Sequence, residues 1–193
     1  MKIIILRHGE RYNSPSYLTP LTVDGLKQAD DMINNLPYDI DTIYCSPFLR
    51  TIQTIYPYCM AHNKKIKIEN VFYERCVGPT FNQHNYRHCT QELNQTWSYL
   101  TSIIENNYKS KYFVSNIKVN PKDQYVINRV FPFIYGLCKK YKTTDKTFLI
   151  VTHKGICNTI KKVFNKNIGL RDEFPMGHFE EVIIKDTWNG IDI

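Results

Sequence analysis

Three short stretches of this chain carry side chains suited to handling phosphate. Leu6-Arg7-His8-Gly9-Glu10 sets a histidine between an arginine and a glycine, and Arg11 adds a second guanidinium to the same loop. Ser46-Pro47-Phe48-Leu49-Arg50-Thr51-Ile52-Gln53-Thr54 puts Arg50 on the first turn of an expected helix. A positive helix N-terminus and a bidentate arginine fork together favour phosphate oxygens. Val151-Thr152-His153-Lys154-Gly155 repeats the first pattern late in the chain. Alone, each histidine would more often be a hydrogen-bonded structural residue, and Arg50 a solvated one. Gly9 shifts the weighting, because a residue without Cβ lets a ligand approach the backbone closely.

These residues need elements that bring them together. Residues 2–6, 41–45, 65–68, 147–152 and 182–185 read as strands. Apolar residues at helical spacing mark helices from Thr22, a plausible N-cap, to Leu36, from Pro47 to Cys59, and over 91–106. Two more are expected from Pro121 to about Tyr141, with a kink at Pro132, and over 155–164. Alternation of strand and helix predicts an α/β fold, a three-layer α/β/α sandwich with a mostly parallel central sheet. The irregular stretch from about 75 to 120 reads as an inserted cap region over one end of the sheet. Ligands of such sheets bind at the carboxyl ends of the strands. Arg7 and His8 follow the first strand, Ser46 and Arg50 the second, Glu74 the third and His153 the fourth. That set of groups has the composition of a phosphate-transfer site.

Composition bounds the alternatives. A chain of 193 residues, 42% hydrophobic and 22% charged, is expected to form one domain over 1–193. The 25 basic and 18 acidic residues leave a net +7, which suits an anionic partner without naming it. The longest purely apolar runs, such as 3–6 and 148–151, are far below the ~20 residues of a membrane span, and Arg7 and His8 interrupt any secretory h-region. A cytoplasmic protein with no membrane partner is expected. The six cysteines include no C-x-x-C pair, so free thiols are expected rather than disulfides.

Taken in order, R-H-G at 7–9, P-L-T-x-x-G-x-x-Q-A at 20–29, S-x-x-x-R-x-x-Q-T at 46–54 and the strand-H-x-G at 153–155 make the chain resemble the histidine phosphatase superfamily, also called phosphoglycerate mutase-like. The resemblance spans residues 2 to about 164. It implies His8 as the nucleophile that becomes phosphohistidine, and Arg7, Arg50 and His153 as holders of the phosphoryl oxygens. Glu74 stands where the family's proton donor is expected, although Arg75-Cys76-Val77-Gly78-Pro79-Thr80 replaces the usual glycine and second acidic residue. Within the superfamily the R-H-G-E-R run, with Arg11 as an added phosphate ligand, looks most like the phosphatase domains of Sts/TULA-type proteins and the ecdysteroid-phosphate phosphatases. That likeness implies phosphotyrosine or another hydrophobic or small phosphomonoester, a phosphorylated small molecule or phosphopeptide, as substrate. No cofactor and no metal are implied, because arginines neutralise the phosphate.

Rival readings remain. A phosphoglycerate mutase-like phosphotransferase is the nearest, but the loop after Gly9 lacks the F-T-G-W run of glycolytic mutases. Cys45 and Arg50 are too close for the C-x5-R of a cysteine-dependent tyrosine phosphatase. A non-catalytic phosphate- or nucleic-acid-binding module would need a basic stripe, whereas the lysines are scattered, so no nucleic acid is expected. Nothing in the sequence supports an oligomer. His84, His88 and Cys89 lack an identifiable fourth metal ligand. Tyr73, Phe81, Tyr86 and Arg87 are candidates to contact the leaving group, with core burial the alternative for each aromatic. His178 is expected to be structural.

Overall fold

The computed structural model describes residues 1–14, 16–75, 93, 95–113, 122–165, 167–169 and 172–185. Five strands form one sheet in the order β3-β2-β4-β1-β5, with β1 Lys2–Arg7, β2 Thr42–Cys45, β3 Ile66–Ile68, β4 Thr147–Thr152 and β5 Phe179–Ile183. All neighbours pair in parallel except β5, which runs antiparallel to β1. Helices α1 Val23–Asn35 and α2 Leu49–Ala61 pack together on one face. Helices α3 Asp123–Tyr141 and α4 Lys154–Phe164 pack together on the other. The result is the expected three-layer α/β/α sandwich.

Strand alternation explains the layers. In β1, Ile3 and Ile5 enter the core under α3 and α4, while Ile4 and Leu6 enter the core under α1 and α2. Both faces are covered, so the central strands are apolar throughout, as parallel sheets require. Edge strand β5 is different: it is half-exposed and carries Glu180 and Glu181, paired with Lys161 at 2.8 Å and Lys2 at 3.2 Å. Its acidic start hides it in the sequence, and it lies over 179–183 where 182–185 is expected.

The helix expected over 91–106 is present in part: residues 93, 95 and 96 are α-helical and the Trp97 amide donates to the Leu93 carbonyl at 3.1 Å, after which the form changes. Among the described residues, a 3-10 helix spans Ser98–Ile103, and Ile104 then bridges to Ile66 while the Glu105 amide donates to the Ile66 carbonyl at 2.9 Å. Leu100 and Ile103 still reach the core, but the chain must turn there to close the free edge of β3. Pro132 lies within α3, which continues to Tyr141. The stretch expected as a cap falls mostly outside the described residues, as do Phe81, His84, Tyr86, Arg87, His88 and Cys89. Among the described residues, no helix is long and apolar enough to cross a membrane.

Buried Glu69, at the end of β3, fixes the next turn: its carboxylate accepts from Val71 N, Tyr108 Oη, Ser110 Oγ and Lys111 N at 2.5–3.1 Å. At the opposite side of the sheet α1 clamps the loop after β1. Thr22 caps α1 by accepting from the Gly25 amide at 3.1 Å, and Gln28 Oε1 accepts from the Glu10 amide at 2.7 Å. A Cβ on Gly25 would lie 1.9 Å from the Glu10 carbonyl oxygen, and one on Gly9 would lie 2.8 Å from the Gly25 carbonyl oxygen. Gly9 is therefore small because a helix backbone lies against it, a reason other than the ligand approach expected from sequence. Gly25→Ala should cost about 1–3 kcal/mol in urea denaturation, the usual range for overpacking. Gly155→Ala, whose Cβ meets nothing within 4 Å, should stay within about 0.5 kcal/mol of the parent. Equal effects would remove the clamp argument.

Candidate active site

Register brings the sequence-selected residues to one end of the sheet. Arg7 pairs with Thr152 across β1 and β4, so His8 and His153 emerge side by side. The His8 amide donates to the Thr152 carbonyl at 3.0 Å, and the two imidazole centroids are 5.2 Å apart. Cys45 pairs with Val151 and with Ile68, which carries Ser46 to the same row. Ring nitrogens of His8 and His153 and a carboxylate oxygen of Glu74 all lie within 4.8 Å of one another.

The S-x-x-x-R-x-x-Q-T stretch can now be read bond by bond. Ser46 Oγ is 2.9 Å from His153 Nε2. Gln53 Oε1 accepts from the Leu21 amide at 2.9 Å, and Thr54 Oγ1 accepts from the Gly9 amide at 2.9 Å while donating to the Arg50 carbonyl at 2.7 Å. One helix thus grips the His8 loop, the entry to α1 and the base of Arg50. Gln53 and Thr54 were matched only as motif letters, and their partners lie 32 and 45 residues away in sequence.

Arg50 is buried to 2% exposure. Its guanidinium sits 4.3 Å from the Phe48 ring centroid, donates to the Ser16 carbonyl at 3.1 Å and comes within 3.7 Å of Glu74 Oε2. Arg7 donates to the Phe174 carbonyl at 2.5 Å, and its buried Nε has no hydrogen-bond partner among the described residues. An orphaned buried donor costs about 1–3 kcal/mol, and an anion would satisfy it. Arg11 is half-buried and donates to the Tyr12 carbonyl at 2.7 Å; its charge also reaches the site, where it disfavours protonation of His8.

Protonation states follow from these surroundings. Burial, then the Arg50 charge, holds the imidazoles of His8 and His153 well below their ordinary 6.5. A carbonyl can only accept, so the 2.8 Å contact of His8 Nδ1 with the Gly9 carbonyl places the proton on Nδ1 and leaves the lone pair on Nε2. Glu74 is pulled two ways: burial raises it above 4.5, and Arg50 opposes the rise. Its side chain keeps 26% of its surface exposed, so it stands at the mouth of the cluster. Glu74 Oε2 lies 3.3 Å from His153 Nδ1. Arg50 Nη2, which can only donate, lies 3.4 Å from the same Nδ1, so Nδ1 takes the acceptor role, a protonated Glu74 donates to it, and Nε2–H donates to Ser46.

One residue escaped sequence reading. Arg129, buried on α3, donates to the Tyr73 carbonyl at 2.5 Å, one residue before Glu74. Its signal was a lone charge on the apolar stripe of Val126, Val130 and Ile134. Of the two readings of Tyr73, substrate contact or core burial, the structure shows burial: it packs against Phe48 at 4.9 Å and Tyr17 at 5.5 Å. His178 contributes its carbonyl, which accepts from the Arg7 amide at 3.0 Å. His8, Glu74 and His153 are close enough to hold a cation, but the adjoining guanidinium groups fit the pocket to an anion instead. The described cysteines are free and buried, and burial pushes the thiols up, Cys59 and Cys138 to about 12.

The sequence matches the histidine phosphatase superfamily (branch 1) over residues 3–180. The chain belongs to that superfamily. No curated protein matches it in sequence. Solved structures similar to this superfamily member include an ecdysone phosphate phosphatase from Bombyx mori, at 15% identity and a TM-score of 0.64, covering 100% of this chain and 92% of that one. A phosphoserine phosphatase from Entamoeba histolytica matches at 17% identity and 0.62, covering 96% and 91%. An α-ribazole phosphatase from Shigella flexneri matches at 20% identity and 0.60, covering 94% and 89%. At these identities the likeness is one of fold.

The neutral histidines give this histidine phosphatase superfamily member a pH signature. Their folded values lie below 6.5, so the stability they contribute is complete above about pH 6.5 and is lost as pH falls toward those values. Glu74, raised above 4.5, acts in the opposite sense just above that pH. Imidazole NMR signals of His8 and His153 should remain those of the neutral ring at about pH 6, and urea stability should decline between about pH 7 and 5.5. The decline should shrink in His153→Gln, which takes up no proton. Imidazolium signals at about pH 6 would contradict this electrostatic account.

Proposed function

We propose that the protein is a phosphomonoesterase working through phosphohistidine at His8. The observation that carries this reading is the His8 ring itself: buried, neutral, tied through Nδ1 to the Gly9 carbonyl, with its Nε2 lone pair set among guanidinium groups. An in-line attack on phosphorus needs that neutral nucleophile. Arg7, Arg11, Arg50 and His153 hold the phosphoryl oxygens, and the cations stabilise charge on them in the transition state.

Each step balances on residues of this chain. His8 Nε2 bonds to phosphorus as the P–O bond to the leaving group breaks, and Glu74 gives its proton to the departing oxygen. The resulting carboxylate takes a proton from water, whose oxygen then attacks phosphorus. The P–N bond breaks, phosphate leaves, and His8 is neutral again. Raising Glu74 by burial favours the first half of this cycle, and the Arg50 charge keeps the carboxylate accessible for the second.

The substrate reading is a phosphomonoester with an aromatic or otherwise hydrophobic leaving group, phosphotyrosine among them, handled in the cytoplasm. R-H-G-E-R supports it, as does likeness to a structure named for ecdysone phosphate. The other similar structures are named for α-ribazole phosphatase and phosphoserine phosphatase, so monoester hydrolysis is the element they share.

His8→Ala should lower turnover of p-nitrophenyl phosphate by at least about a thousandfold and abolish the acid-labile phosphoenzyme seen in a rapid acid quench. Full activity in that variant would refute the nucleophile. Glu74→Gln should cost about 10²–10⁴-fold on an alkyl phosphate and much less on p-nitrophenyl phosphate. An equal loss on both would remove its role as acid. Interconversion of phosphoglycerates faster than aryl phosphate hydrolysis would favour the mutase reading instead.

A further inference from the structure

Across the sheet from α1 and α2, a second concavity runs along α3. Its volume is about 530 Å³, within the roughly 300–1,000 Å³ of small-molecule sites. None of His8, Arg50, Glu74 and His153 lines it. Lys111, Arg129 and Lys140 do, and no carboxylate stands among the described lining residues. The walls between these cations are aromatic. Lys111 Nζ lies 5.6 Å from the Phe133 ring centroid and Lys140 Nζ 5.0 Å from that of Tyr141, both rings being part of the lining. Arg129 is held in place by its bond to the Tyr73 carbonyl.

Gly136 is an exposed residue on the rim of the groove. A glycine inside a helix costs about 0.5–1 kcal/mol relative to alanine, and packing does not demand it here, because a Cβ at 136 would meet nothing within 4 Å. A large side chain there would reach over the groove.

We propose that this groove binds a small aromatic anion, a planar ring bearing a phosphate- or carboxylate-type group. The ring would lie on the aromatic wall, and the charged group would answer Lys111 and Lys140. Rings on rings contribute through offset or edge contacts, and the two ammonium groups answer the anion.

The test is isothermal titration of the full chain with 1-naphthalenesulfonate, an aromatic anion that cannot be hydrolysed as a phosphoester. One saturable site is expected. Affinity should fall by about tenfold or more in Gly136→Phe, which reaches over the groove, and in the double variant Lys111→Glu/Lys140→Glu, which reverses its charge; circular dichroism checks that both are folded. Arg50→Ala, altered at the other site, should retain the binding. Absence of saturable binding, unchanged affinity in both groove variants, or loss confined to Arg50→Ala would overturn the proposal. None of these readouts depends on turnover at His8.

Discussion

Two imidazoles kept uncharged beside buried guanidinium groups set the terms for the rest of this structure. Arg50, at 2% exposure, has given up nearly all of its hydration. Effective penalties for burying an ion run to several kcal/mol, and the Ser16 carbonyl, the Phe48 ring, His153 Nδ1 and the carboxyl of Glu74 act against them. A further positive charge on His8 or His153 would add to that cost, so neither ring protonates readily. The same positive charge makes a doubly charged phosphoryl group a natural complement. On the proposed mechanism, the force that keeps His8 nucleophilic is also the force that binds its target.

Such an arrangement survives only if the backbone leaves it no freedom. The parallel register fixes where His8, Ser46 and His153 emerge, and α2 ties the pieces together through Thr54, Gln53 and Ser46. Each hydrogen bond contributes about 0.5–1.5 kcal/mol net, but their greater effect is on position. Thr54 holds the Gly9 amide, so the carbonyl that orients His8 belongs to a loop anchored on both sides. Gly25 allows α1 to press against that loop from beneath, and Gln28 completes the contact.

Much of this was legible because the sheet's apolar runs and the histidines share an address: polar chemistry directly follows a buried strand. The α1 cap at Thr22 and the first-turn position of Arg50 were likewise local facts, readable from neighbouring residues. What escaped was nonlocal. Arg129 looks like one more helix-face cation until the Tyr73 carbonyl arrives from 56 residues away. Gly9 reads as a ligand-side glycine until the α1 backbone is seen against it. Strand β5 carries Glu180 and Glu181 directly after Phe179, because an edge strand can direct such side chains to surface lysines. The stretch through Leu93, Trp97, Leu100 and Ile104 keeps helical spacing and is α-helical at 93, 95 and 96, yet from Ser98 the need to close the edge of β3 outweighs that preference.

The net charge of +7 is therefore not evenly meaningful. Lys2 and Lys161 balance the acidic edge strand, and Lys146 answers Asp41. The cations with consequence are those turned toward the His8 pocket and the α3 groove, and these two places are physically contiguous. Arg129 bonds the Tyr73 carbonyl, Tyr73 packs on Phe48 at 4.9 Å, and Phe48 carries the Arg50 guanidinium at 4.3 Å. Contiguity is a route and not yet a coupling energy. If an anion in the groove alters how Arg129 holds Tyr73, it alters the loop that presents Glu74. Linkage then requires the converse by the same factor, with phosphate at His8 changing affinity in the groove.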